Sequence, residues 1–140
     1  MIGLSKVKKK EPRLNCIAYL SVEGDLYNSE IRENKQLKYL YQYAKAHNIS
    51  ICAVISRNSM GQSVVNEHWK TIVGMIRNGK ADGVLIANTE AVSSSVSDSF
   101  YKIGQVYEAG GVVVSVDEGR LSMPIKRMID GKMVLVNERI

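Results

Sequence analysis

Four short stretches place carboxylates, hydroxyls and amides just after apolar runs, where a fold would bring them to one end of a sheet. They are Glu23-Gly24-Asp25, Arg57 to Gln62, Asn88 to Ser95, and Asp117-Glu118. Clustered acids of this kind can hold a hard cation through oxygen ligands. Hydroxyls with nearby amides can meet a phosphate, above all at a helix N-terminus such as Ser93 to Ser95 would provide. Neither chemistry has a fingerprint here, because no glycine-rich phosphate loop follows any apolar run. Solvated loop acids and a serine helix cap are the simpler readings, and no metal or cofactor is expected. His47 and His68 have no Cys or acidic partner nearby in sequence; His47 reads as a helix-end residue and His68 as solvent-facing. Cys16 and Cys52 lie inside strand-like runs without any CxxC pattern, so both read as buried free thiols of a reducing compartment.

The elements that must position these loops follow from periodicity. Leu14 to Val22 reads as a mostly buried strand, ended by Gly24-Asp25. Ser29 is a plausible N-cap for a helix from about Glu30 to His47, with Glu30 and Glu33 in its first turn and Ile31, Leu37, Leu40, Tyr41 and Ala44 on one side. Tyr39, Tyr41 and Tyr43 alternate along it, so at least one should be exposed. Ile49 to Ile55 is uncharged and suits a strand covered on both faces. Trp69, Ile72, Val73 and Ile76 give a second helix its apolar face over about Val64 to Asn78, with Trp69 as a core anchor. Asn78-Gly79 closes it. Gly83 to Ala87 is a third strand. Ser94 or Ser95 caps a third helix to about Ala109, with Val96, Phe100, Ile103 and Tyr107 inward. Val112 to Val116 is a fourth strand. Alternating strands and 14- to 18-residue helices imply an α/β fold with a parallel sheet and right-handed crossovers.

The last segment leaves that rhythm. Ile125 to Ile129 and Lys132 to Val136 flank Asp130-Gly131, a strong hairpin signal. A short helix is the rival, since Ile125, Met128, Ile129, Met133 and Val136 share a helical face. Gly131 and the Val-Leu-Val run favour the hairpin.

With 140 residues the chain suits one compact domain, and no apolar run approaches the length that spans a bilayer. Nor does an apolar stretch follow the N-terminal charges as in a secretory signal, so the expected address is the cytoplasm. The net charge of +5 is unevenly placed. Lys6, Lys8, Lys9, Lys10 and Arg13 against Glu11 put +4 in residues 1–13, leaving 14 basic and 13 acidic groups in residues 14–140. The tail is the candidate for DNA contact, through salt-sensitive phosphate neutralisation. A solvated leader is its simpler reading.

Tyr19 to Val22, Gln36, Gly61, Ile76 to Asp82 and Ala109 to Glu118 follow one another in an order and spacing by which residues 14–124 resemble the catalytic domain of the serine recombinases, the resolvase and invertase family. Tyr19-Leu20-Ser21-Val22 is similar to the family's Tyr-x-Arg-Val-Ser, and Gln36 stands seven residues before Tyr43-Ala44 like the family's helix Gln before a Tyr-Ala. Gly61 takes the place of the loop Ser-Gly. Ile76-Arg77-Asn78-Gly79-Lys80-Ala81-Asp82 resembles Ile-Arg-x-Gly-Lys-x-Asp. Ala109-Gly110 through Glu118 is similar to the Gly-Val strand ending near Ser-x-x-Glu. The resemblance implies a resolvase-like three-layer fold, a mostly parallel four- to five-stranded sheet with helices on both faces, and the C-terminal β-hairpin or short helix stands where the family continues into a long helix. With the charge pattern, this divides the chain into a basic tail at 1–13, the α/β domain at 14–121, and an extension at 122–140 packed on or swapped from the same domain.

The family's chemistry is the attack of a serine hydroxyl on a DNA phosphodiester, forming a 5′-phosphoserine link while arginines neutralise the phosphoryl oxygens. Aligning Tyr19 puts Ser21 on the strand arginine and Glu23 on the nucleophile. A shift by two makes Ser21 the nucleophile but puts Tyr19 on the arginine. Asn66 falls on the arginine before the second helix, and Glu90, Ala91 and Ser94 on the Asp-Arg-x-x-Arg triplet. One arginine at a phosphoryl-transfer transition state can be worth roughly 10³ to 10⁵ in rate. The expectation is therefore a catalytically inactive, recombination-related domain acting as a homodimer or higher homo-oligomer, by weak DNA association, or on a DNA-bound protein partner, and not at a membrane. Two alternatives stand beside it. One is an active recombinase with Ser21 as nucleophile and charge supplied by Arg57, Arg77 or Arg120. The other is an enzyme binding a small molecule or phosphate on a doubly wound sheet, beyond the strands' carboxyl ends.

Overall fold

The computed structural model describes residues 13–23, 26–121, 124–129 and 132–137. Strands β1 (Leu14–Leu20), β2 (Ile49–Ser56), β3 (Gly83–Ile86), β4 (Val112–Ser115) and β5 (Gly119–Arg120) form one sheet in the order β2-β1-β3-β4-β5. The first four run parallel and β5 turns back antiparallel on β4. Helices α1 (Leu26–Ala46), α2 (Gln62–Arg77) and α3 (Val96–Glu108) make the crossovers.

Side chains along β1 divide by their period of two. Cys16, Ala18 and Leu20 pack into a cluster with Leu40 and Ala44 of α1, while Ile17 and Tyr19 enter a second cluster with Trp69 and Ile72 of α2 and Ile103 and Val106 of α3. The sheet is thus buried on both faces, as parallel sheets are. This is the expected three-layer α/β architecture.

Several details differ from the sequence expectation. Helix α1 begins at Leu26, so Ser29 is a buried residue inside the helix and not its cap. Its inward stripe is Glu33, Leu40 and Ala44, while Ile31 and Tyr41 face outward at 41% and 50% exposure. Strand β2 is an edge of the sheet whose side chains pack on both core clusters, Ala53 and Ile55 on one and Ile49 and Ile51 on the other, while Val54 and Cys52 are exposed. Of the two thiols only Cys16 is buried, and burial pushes it up to about 12. On α3, Ser95 is the N-cap, its hydroxyl accepting from the Asp98 amide, but Val96 and Phe100 are exposed. The buried face there is Ser99, Lys102, Ile103 and Val106, fixed by the Trp69 indole N–H donating to the Lys102 carbonyl at 2.9 Å. Trp69 is the core anchor expected.

Gly83 has a packing reason. A methyl group there would strike the carbonyl oxygen of Val112 on the neighbouring strand, so only glycine lets β3 and β4 approach at this pair. At the C-terminus, β6 (Pro124–Ile129) and β7 (Lys132–Asn137) pair antiparallel, with Ile129 opposite Lys132. The hairpin forms, not the helix, and as a two-stranded sheet of its own. No helix among the described residues is long and apolar enough to cross a membrane.

Candidate functional site

The sheet order reverses direction at β1, whose successor β2 lies on one side while β3 lies on the other. Beyond the carboxyl ends of strands at such a point, the diverging loops leave a crevice. Here it is a cavity of about 280 Å³ lined by Ser21, Val22, Glu23, Arg32, Gln36, Arg57, Asn88, Glu90, Ala91 and Ser94.

Ser21 sits at the bottom, 6% exposed. Gln36 of α1 clamps its backbone from both sides: its amide oxygen accepts from Ser21 N at 2.8 Å, and its amide nitrogen donates to Ser21 O at 3.4 Å. The Ser21 hydroxyl accepts from the Arg57 guanidinium at 3.4 Å. Arg57, itself 8% exposed, is held by its backbone N–H on Leu20 O at 2.8 Å and by Nε on Met60 O at 2.6 Å. The loop that aims it carries two successive left-handed residues, Asn58 at φ 55° and Ser59 at φ 60°. Strain of this kind persists only where surrounding contacts fix it. One such contact is Glu33, a buried carboxylate on α1 that accepts from Asn58 N at 3.2 Å. Burial pushes the Glu33 carboxyl above its usual range, a rise opposed by backbone hydrogen bonds and by the Arg57 charge.

The rim mixes charges. Arg32 donates to the Glu23 carbonyl at 2.6 Å, while Glu23 and Glu90 are exposed and, among the described residues, neither carboxylate makes an ion pair with Arg32 or Arg57. Beyond the cavity, Asp117 and Glu118 are tied down: Tyr39 and Asn88 donate to Asp117, and Ser115 and Thr89 to Glu118. They brace the loop after β3, and among the described residues no cluster of His, Cys, Asp or Glu fits a metal ion.

Of the positions singled out by sequence, Ser21, Glu23, Glu90, Ala91 and Ser94 converge on the cavity. Asn66 does not; it is exposed on α2 and accepts from Gln62 at 3.1 Å. Arg77 and Arg120 are exposed and line no part of it. Arg32 was not singled out. Its signal was its place one turn before Gln36 on the helix expected from about Glu30. His68 is half-buried, not solvent-facing, with its Nδ1 2.9 Å from the Tyr19 hydroxyl. His47 stacks on Tyr43 at the end of α1, with ring centroids 3.9 Å apart. Arg13 is exposed and donates to Ser50 at 3.3 Å; Lys6, Lys8, Lys9 and Lys10 lie outside the described residues.

No family model matches the sequence, and no curated protein does. Solved structures do. The chain superposes on the N-terminal catalytic domain of TP901-1 integrase with a TM-score of 0.61 at 17% identity, covering 75% of this chain and 78% of that one. The fold is that of a serine recombinase catalytic domain. It also superposes on the C-terminal catalytic domain of ISC1926 TnpA, an IS607-like serine recombinase, with a TM-score of 0.63 at 16% identity, covering 74% and 69%. A resolvase family site-specific recombinase from Streptococcus pneumoniae gives 0.64 at 14% identity, covering 76% and 74%. Within this serine-recombinase fold, the guanidiniums of the cavity come from the end of β2 and from α1. The loop after β3, where the family resemblance places two arginines, supplies Glu90, Ala91 and Ser94 instead.

Proposed function

We propose that this domain uses the serine-recombinase fold for assembly in a recombination-related setting and does not cut DNA. It acts by association, as a homo-oligomer or on a DNA-bound partner, with residues 14–121 as the working body and 122–140 as its extension. The observation that carries this reading is the make-up of the cavity. A phosphodiester entering it would meet Glu23 and Glu90 at the rim. Arg57, the cation nearest Ser21, is already engaged with Met60 and Ser21. Phosphoryl transfer depends on donors that are free to meet the charge developing on the phosphate. Among the described residues, the hydrogen-bond partner of the Ser21 hydroxyl is the Arg57 guanidinium, which cannot take its proton.

One observation favours a second reading, in which Ser21 attacks DNA: a guanidinium does stand 3.4 Å from its hydroxyl, although the strand position itself has no arginine. Incubation of the full chain with supercoiled plasmid and with pooled random-sequence duplexes separates the two. Association alone leaves the DNA uncut and free of protein on a denaturing gel. A covalent adduct that disappears in Ser21→Ala establishes the second.

A further inference from the structure

Helix α1 is buried along one side only. At 100° per residue, Lys35, Lys38 and Lys45 fall with Tyr27, Ile31 and Tyr41 in one outward arc of roughly 120°. All six are exposed, Tyr27 at 73% and Tyr41 at 50%. Arg32 falls roughly 60° outside the arc, toward the Ser21 cavity that it lines, and the only exposed acid of the helix is Glu30, since Glu33 is turned inward and buried. The outward side of α1 therefore carries three lysines and one acid. The remainder of residues 14–140 has eleven basic and twelve acidic groups, so the outward face of α1 is a positive strip on a nearly neutral body. The strip continues past the helix end, where Arg13 lines a shallow hollow with Tyr41 and Lys45. In sequence, Arg13 directly follows the tail that holds Lys6, Lys8, Lys9 and Lys10.

We propose that the outward face of α1 is a docking surface for a single-stranded nucleic-acid backbone. Lysines one to three turns apart on an exposed helix can follow a line of phosphates, each neutralised phosphate releasing counterions. Tyr41, between Lys38 and Lys45, and Tyr27, about two turns before Lys35, offer flat faces on which unpaired bases stack without sequence preference. Sequence-independent contact of this kind requires no base-reading side chain. The surface is separate from the cavity at Ser21. It shares with the proposed function only the premise that nucleic acid is a partner, so covalent capture at Ser21 and binding at α1 are decided by different measurements.

The test is fluorescence anisotropy with a labelled single-stranded oligonucleotide and a duplex of the same length, using the full chain at two salt concentrations. Lys35→Glu/Lys38→Glu/Lys45→Glu should weaken single-strand binding at least about tenfold. It should also reduce the slope of log affinity against log salt by about two, as expected for three lost phosphate contacts on a single strand. Tyr27→Ala/Tyr41→Ala should weaken the single strand several-fold and leave the duplex unchanged. A tail variant, Lys8→Gln/Lys9→Gln/Lys10→Gln, should retain the α1-dependent part. The five α1 positions are exposed, and an unchanged Tm confirms that each variant is folded. The proposal is overturned if the triple Glu variant binds like the parent, if the tail variant alone abolishes binding, or if the duplex depends on the tyrosines as the single strand does.

Discussion

Arg57 reaches Ser21 from the end of β2, and its position rests on bonds that can be removed singly. Its guanidinium satisfies the Met60 carbonyl and the Ser21 hydroxyl in a place sheltered from water. Arg57→Ala should cost about 1.5–3 kcal/mol in urea unfolding, the range for hydrogen bonds to charged groups. Arg57→Lys should recover only part of this, because an ammonium cannot present a guanidinium's fork. Glu33 gives a pH signature. Burial raises its folded-state pKa, so the native protein holds a proton there at a pH where the unfolded chain has released it. Its contribution to stability is complete below the ordinary carboxylate range and is lost as pH rises through the raised value. Glu33→Gln has no such slope. The Tm of the variant relative to the parent should therefore move in the variant's favour between about pH 4 and about pH 7. A constant difference across that window would show that Glu33 does not titrate as its burial requires.

Among the elements, α2 was the most legible and α3 the least. Trp69, Ile72, Val73 and Ile76 share one face by spacing alone and are buried. On α3 the same kind of pattern pointed to Val96 and Phe100, but the face is chosen by docking on Trp69 and by the Ser95 cap. Ser99 is drawn inward by its hydroxyl bonds to the Thr89 and Ser93 carbonyls, and Lys102 by pairing with Asp98. Local polar contacts of this sort leave no trace in hydropathy. The edge position of β2 was hidden for a similar reason: an uncharged run does not reveal whether a second neighbour exists. Two substitutions probe the packing directly. Trp69→Ala should cost about 3–5 kcal/mol, read by urea or thermal unfolding. Gly83→Ala should cost about 1–3 kcal/mol through forced separation of β3 from β4, although it adds only a methyl group. A neutral Gly83→Ala would mean that the two strands can give way at Val112.

For the whole molecule, the order of strands and helices was readable because each apolar run was short and bounded by Gly, Asn or Asp. The family resemblance rested on the same boundaries. The site was readable in part. Ser21, Glu23, Glu90, Ala91 and Ser94 follow strands and so arrive at one end of the sheet. Arg57, one of the candidate cations, arrives from an edge-strand loop whose geometry depends on left-handed Asn58 and Ser59. Arg32, which enters from α1, is the residue the sequence reading missed. Counting residues against a motif finds what occupies the motif, not what arrives from another element. The resulting cavity lies beyond the carboxyl ends of the strands and carries a balanced set of charges, Glu23 and Glu90 against Arg32 and Arg57.

Whether the Ser21 hydroxyl ever becomes bonded to DNA phosphorus is the most direct measure of that account. The full chain, incubated with supercoiled plasmid and pooled duplexes and then denatured and digested, can be examined by mass spectrometry for a nucleotide on the peptide containing Ser21. The account predicts an unmodified peptide and intact supercoils, identical for the parent and Ser21→Ala. A phosphonucleotide adduct on Ser21, with nicking that Ser21→Ala abolishes, would contradict it.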